Sequence, residues 1–156
     1  MTLAKPSIAV IATGGTIASK RGEDGASTPV LSGEDLLEFV PDLEAELLPV
    51  DLMAKDSASL TLSDMQRISG AVGSCLKDRD VDGIVVLHGT DAMEETALLV
   101  HLQRRISKPV VFTGAQFTAD HPQADGSGQC RQRRPYCLRR TDRTGLGGIQ
   151  VQQRQR

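Results

Sequence analysis

Tryptophan is missing, tyrosine occurs once, at Tyr136, and aromatic residues make up 3% of the 156 positions. The arginine cluster near the carboxyl end attracts phosphates. It holds that single aromatic residue and no recognisable RNA- or DNA-binding module, so nucleic acid is not an expected partner. Cysteine is scarce as well. Cys75, Cys130 and Cys137 are odd in number and lack metal-ligand spacing, which argues against a disulfide framework and a zinc site. Cys75 reads as a core residue on a helix face. No spacing of His, Cys and carboxylates supports a metal, and no cofactor is expected. No apolar run approaches the length of a membrane span. The first residues lack the basic segment, separate apolar core and small-residue cleavage site of a secretory leader. A cytoplasmic protein is the expectation.

What is present is one domain's worth of chain, 39% hydrophobic and 24% charged, long enough for a core of its own. It is organised around residues 8–17, where the apolar run Ile8–Ala12 ends in Thr13, Gly14, Gly15 and Thr16. Small and β-branched residues in an unbroken run suit a parallel strand covered on both faces. The two glycines permit a sharp turn or a close backbone approach. Residues 82–91 repeat the design: the run Ile84–Leu87, then His88, Gly89, Thr90 and Asp91, leading into a helical segment. Two threonines therefore leave two strands at equivalent places, the carboxyl rim where open α/β sheets bind ligands. The bland readings stand beside this one. Thr16 alone suits a turn that satisfies a helix start, and Thr90 and Asp91 suit helix caps, Asp91 with Glu94 forming a box-like pair. His88 reads as a packed or hydrogen-bonded histidine rather than a general base.

Between these stretches, residues 18–29 are polar and glycine-punctuated, as in a surface loop or lid. Ser32 and Asp35 open a short helix that Pro41 helps to end. Leu47–Met53 suits a strand, against which Pro49 counts. Ser63 with Gln66 makes a capping box for a helix whose buried face holds Met65, Ile68, Ala71, Val72, Cys75 and Leu76. Strands follow at 81–87 and 108–115. Strands alternating with helices call for an α/β fold, an open and mainly parallel sheet with helices on both faces, flavodoxin- or Rossmann-like. A strand, glycine turn and helix can cradle an anion. Neither G-x-G-x-x-G after the first strand nor G-x-x-x-x-G-K-[ST] is present, so a nucleotide-binding module ranks below a catalytic reading.

Composition shifts near Gly126. Residues 1–126 hold 10 Lys+Arg and 19 Asp+Glu, whereas residues 127–156 hold 8 Arg, no Lys and one acid, Asp142. This second segment has no apolar period of 2 or 3.6, and an irregular or disordered tail is expected. Its exclusive use of arginine is the pattern an out-of-frame reading of GC-rich coding DNA produces. The expected division is a partial α/β domain over 1–126 and an Arg/Gln-rich tail over 127–156.

The pair of segments 12–18 and 87–97 resembles the two signatures of the bacterial-type L-asparaginase/glutaminase family, in the right order and at a suitable separation. Residues 108–115 and 124–126 extend the resemblance, which covers 7–126. It implies the start of the family's larger amino-terminal α/β domain, without the smaller carboxyl-terminal domain. It further implies hydrolysis of L-asparagine, or L-glutamine, to the acid and ammonia through an acyl-enzyme. Position by position, Thr16 resembles the nucleophile. Thr90 resembles the second catalytic threonine, and Asp91 its partner and the contact to the substrate's ammonium. Ser57 resembles the residue that binds the substrate carboxylate, with Ser59 competing for that role, and Gly89 and Ala115 resemble backbone contacts. A homo-oligomer is implied for an intact chain. The family's lid tyrosine has no match near Thr28 and Pro29, and no lysine follows Lys108 to match the family's catalytic lysine. A related subunit that feeds ammonia to a transfer-RNA amidotransferase is expected to carry an extra amino-terminal domain, and none precedes Pro6.

Overall fold

The computed structural model describes residues 5–22, 27–38, 44–121 and 136–138. Its centre is a sheet in the order β4-β1-β5-β6-β7, built from β1 (Ser7–Gly14), β4 (Glu46–Lys55), β5 (Gly83–Leu87), β6 (Val110–Thr113) and β7 (Tyr136–Leu138). β1 pairs in parallel with β4 and with β5, and β5 pairs in parallel with β6; only β7 runs antiparallel. Among the parallel strands the order reverses between β1 and β5. In doubly wound sheets ligands bind beyond the carboxyl ends of the two strands that flank such a reversal.

Strand periodicity distributes the apolar residues into two cores. Ala9 and Ile11 of β1, Ile84 and Val86 of β5, and Val110 and Phe112 of β6 face helices α2 (Leu62–Lys77) and α3 (Met93–Gln103). Val10 and Leu87 face the opposite way, onto Leu36 of the short helix α1 (Gly33–Leu37) and Ile17. Helices thus cover both faces, as the alternating pattern predicts. Among the described residues no helix is long and apolar enough to cross a membrane.

Several local expectations change in detail. Pro49 lies inside β4, which is tolerated because β4 is an edge strand with a neighbour on one side only. Residues 18–29 are not wholly a loop: β2 (Ser19–Arg21) and β3 (Ser27–Pro29) form an antiparallel pair. Ser32 caps α1 in a box with Asp35, as expected; Pro41 lies outside the described residues. Of the tail, only β7 is described, and the proposed boundary at Gly126 and the remainder of 127–156 lie outside the described residues.

The cap of α2 is formed by Thr61 and Asp64 rather than by Ser63 and Gln66. Asp64 wins because its carboxylate also meets Lys55 from the end of β4, with Nζ donating at 2.8 Å, beside the Thr61 hydroxyl at 2.7 Å and the Thr61 N–H at 3.0 Å. These donors hold Asp64 far below the usual carboxylate range, the Lys55 bond first. A carboxylate more acidic in the folded than in the unfolded chain contributes stability above its unfolded pKa, about 3.9, and loses it as pH falls towards the folded value. Asp64→Asn should therefore unfold at lower urea than the parent near neutral pH, and the gap should shrink steadily below about pH 4. A gap that stayed constant down to acid pH would remove Asp64 as an acid-labile contact.

Candidate active site

The carboxyl ends of β1, β4 and β5 meet without intervening side chains. Gly14 and Gly15 have φ of 96° and 77°, in the region that favours glycine. The Gly15 N–H donates to the Lys55 carbonyl at 2.8 Å, locking the end of β1 onto β4. A Cβ on Gly14 would stand 2.5 Å from Lys55 N and O, and one on Gly15 would stand 2.5 Å from Gly89 N and closer still to its Cα. Gly89 in turn is pressed against Ser57, whose Cβ would lie 2.5 Å from a Cβ added there. Thr13 completes the joint by donating from Oγ1 to the Leu87 carbonyl at 2.8 Å.

Thr16 and Thr90 each follow one of the two apposed glycines, so the backbone brings them to one rim, as the paired motifs predict. Thr16 opens a 3₁₀ turn (Thr16–Ala18) and is half-buried, while Thr90 and Asp91 are exposed. Among the described residues no hydrogen bond engages either threonine hydroxyl. The Gly15 carbonyl is held by the Ala18 N–H at 3.1 Å and the Ser19 hydroxyl at 2.8 Å.

Asp91 is not a helix cap. The residue that caps α3 is Ala92, without a side-chain bond, and no box with Glu94 forms. Instead Asp91 and Ser57 are paired twice across 34 residues: Ser57 Oγ donates to the Asp91 carboxylate at 2.8 Å and accepts the Asp91 N–H at 3.2 Å. Ser57 is 3% exposed, whereas Ser59 lies at the surface. Ser57 opens a second 3₁₀ turn (Ser57–Ser59), capped by Asp56. Ala115, buried beside Leu87, lies just beyond β6, where the Thr113 carbonyl accepts the His88 N–H at 2.8 Å. His88 is buried and hydrogen-bonded, as its sequence reading predicts, and Thr13, buried and bonded to the Leu87 carbonyl, is the supporting residue that the motifs do not single out.

One cation near this rim is engaged elsewhere: the Lys55 ammonium is bound to Asp64.

Comparison with known proteins follows the same lines. The family model described as "Asparaginase, N-terminal" matches residues 7–132. L-asparaginase 2 of Bacillus subtilis is 34% identical over 127 residues, covering 78% of this chain and 34% of that protein. A glutamyl-tRNA(Gln) amidotransferase subunit of Haloquadratum walsbyi is 37% identical over 123 residues, covering 77% of this chain and 28% of that one. Among solved structures, a probable cytoplasmic L-asparaginase from Campylobacter jejuni superposes with a TM-score of 0.69 at 30% identity, over 81% of this chain and 38% of the other. This chain spans about a third of the length of the curated relatives it matches.

Proposed function

Because this chain belongs to the asparaginase family and corresponds to its N-terminal domain, we propose that its site hydrolyses the side-chain amide of a small amino acid, L-asparagine or L-glutamine. The observation that carries this reading is the backbone apposition of Gly15 and Gly89, which sets two uncommitted threonines beside the Ser57–Asp91 pair. In the first step the Thr16 hydroxyl oxygen bonds to the amide carbon as the carbonyl electron pair moves to oxygen. The C–N bond then breaks, and the nitrogen leaves as ammonia, having gained the hydroxyl's proton. Water cleaves the resulting ester, aided by Thr90, returning the Thr16 hydroxyl and releasing the carboxylic acid. An alcohol is a weak nucleophile until a neighbouring group relieves it of its proton.

The turns also supply donors for the developing oxyanion. The Gly15 carbonyl is tied into its 3₁₀ turn and the Gly89 carbonyl is held by His88. In a trans peptide the following N–H points the opposite way, so the Thr16 and Thr90 N–H groups face outward. Such fixed donors stabilise a tetrahedral intermediate. Asp91 is the group for the substrate's ammonium. The Ser57 proton is committed to Asp91 in the free chain. It becomes available to the substrate carboxylate once the ammonium takes over Asp91.

A second reading draws on the 37% identity to the amidotransferase component: the same amide cleavage would feed ammonia to a transfer-RNA amidotransferase. One assay addresses both. The purified full chain is given L-asparagine, then L-glutamine, with ammonia and the acid product measured together. Ammonia equimolar with aspartate or glutamate supports the amide cleavage, and ammonia from glutamine that rises only when a transfer-RNA amidotransferase is present to consume it supports the second reading. No ammonia from either amide, together with no thermal shift on adding L-aspartate, would refute the proposal.

A further inference from the structure

A buried imidazole stands directly behind the turn that carries Thr90 and Asp91. His88 is 0% exposed, and its ring is tilted against Phe112 with centroids 6.2 Å apart. Its Nδ1 lies 2.6 Å from the Gly89 carbonyl oxygen and its Nε2 lies 3.0 Å from Thr96 Oγ1. A carbonyl only accepts, so Nδ1 carries the proton. Burial holds the imidazole's pKa below its ordinary value, which leaves Nε2 bare and able to accept. The Thr96 hydroxyl also lies 2.8 Å from the Ala92 carbonyl, and its single proton serves the ring or Ala92, one at a time. The imidazole therefore holds Gly89 directly and packs against the first turn of α3 through Thr96. An apolar side chain of similar volume would leave the Gly89 carbonyl without this buried partner, a loss with its own desolvation cost.

We propose that His88 is a positioning residue for the amide-cleaving site: as the Nδ1–H tautomer it pins the Gly89 carbonyl inward, and so sets the outward aim of the Thr90 N–H and the place of Asp91. The role in catalysis rests on the reading given under Proposed function; the role in the turn does not. His88 is buried beneath the turn and touches no substrate. It acts only through the peptide it holds.

Two substitutions separate its two bonds. Asparagine keeps an N–H donor at the place of Nδ1, and glutamine carries its amide to the place of Nε2. In the histidine-labelled full chain, nitrogen NMR is expected to show a protonated Nδ1 and a bare Nε2 between about pH 6 and 8. His88→Asn should retain kcat within about threefold, while His88→Gln should lose about tenfold or more with KM nearly unchanged, since small misplacements of reacting groups are costly. Slow exchange of the Asp91 amide, which is bonded to Ser57, should persist in the asparagine variant and be lost in the glutamine variant. An Nε2–H tautomer in the parent, or equal Asp91 exchange in the two variants, would overturn the proposal whether or not the chain turns over. If the tautomer and exchange results come out as expected but the parent releases no ammonia, the amide-cleaving reading fails and the role of His88 in the turn stands.

Discussion

Thr16→Ala is expected to lower ammonia release by about 10³-fold or more while leaving L-aspartate binding intact, because loss of a nucleophile removes the covalent route and spares the binding groups. The structure makes this a clean test. The Thr16 hydroxyl has no hydrogen-bond partner among the described residues, so its removal strands no donor or acceptor, and stability should change by about 0.5 kcal/mol or less. Calorimetric titration with L-aspartate beside an ammonia assay reads both quantities. Binding lost in step with activity would assign Thr16 to the shape of the turn rather than to the reaction.

Gly15→Ala carries the largest expected cost to folding. Its φ of 77° with ψ of −175° is a conformation essentially reserved for glycine, costing any residue with a Cβ about 1–3 kcal/mol. The added carbon would also strike the backbone of Gly89, which cannot rotate away as a side chain can. A total of about 3 kcal/mol or more is expected, within the range of severe single substitutions. Gly70 provides the contrast: it lies in α2 with nothing within 4 Å of a Cβ added there, so Gly70→Ala should stabilise by up to about 1 kcal/mol. Urea unfolding of both variants decides the matter. If Gly15→Ala were as stable as the parent, the two strand ends would not be in backbone contact.

Much of this architecture is legible in the sequence because it rests on local signals. The runs 8–12 and 84–87 are strands, the glycines after them mark turns, and the face containing Ile68 and Val72 turns inward, since burial periodicity and glycine chemistry act over a few residues. What is not legible depends on partners remote in the chain. The reading from Ser63 and Gln66 misses the true cap by two residues, because Thr61 and Asp64 satisfy the same spacing and only the arrival of Lys55 from β4 favours them. Asp91 looks like a cap beside its own helix, yet it is held by Ser57 from 34 residues away. The β2–β3 pair has no alternating apolar pattern to announce it. It is secured instead from outside, by the Arg21 N–H on Asp120 and the Ala119 N–H on the Ser19 carbonyl. Ser57 stands out in the sequence through family resemblance rather than through its neighbours, and its bond to Asp91 comes from 34 residues away.

The two rims of the sheet are unequal, and this gives the molecule a direction of growth. β4 closes one rim with Pro49 in its middle, a residue that withholds an N–H from any strand arriving there. β6 presents the other rim, occupied by the three residues Tyr136–Leu138 running against the grain of the rest. Strand addition is thus vectorial: a newcomer is disfavoured beside β4, and beside β6 it must first evict a short tenant. Any longer sheet built on this chain extends away from the Gly15–Gly89 joint, leaving the paired threonines undisturbed at its opposite flank.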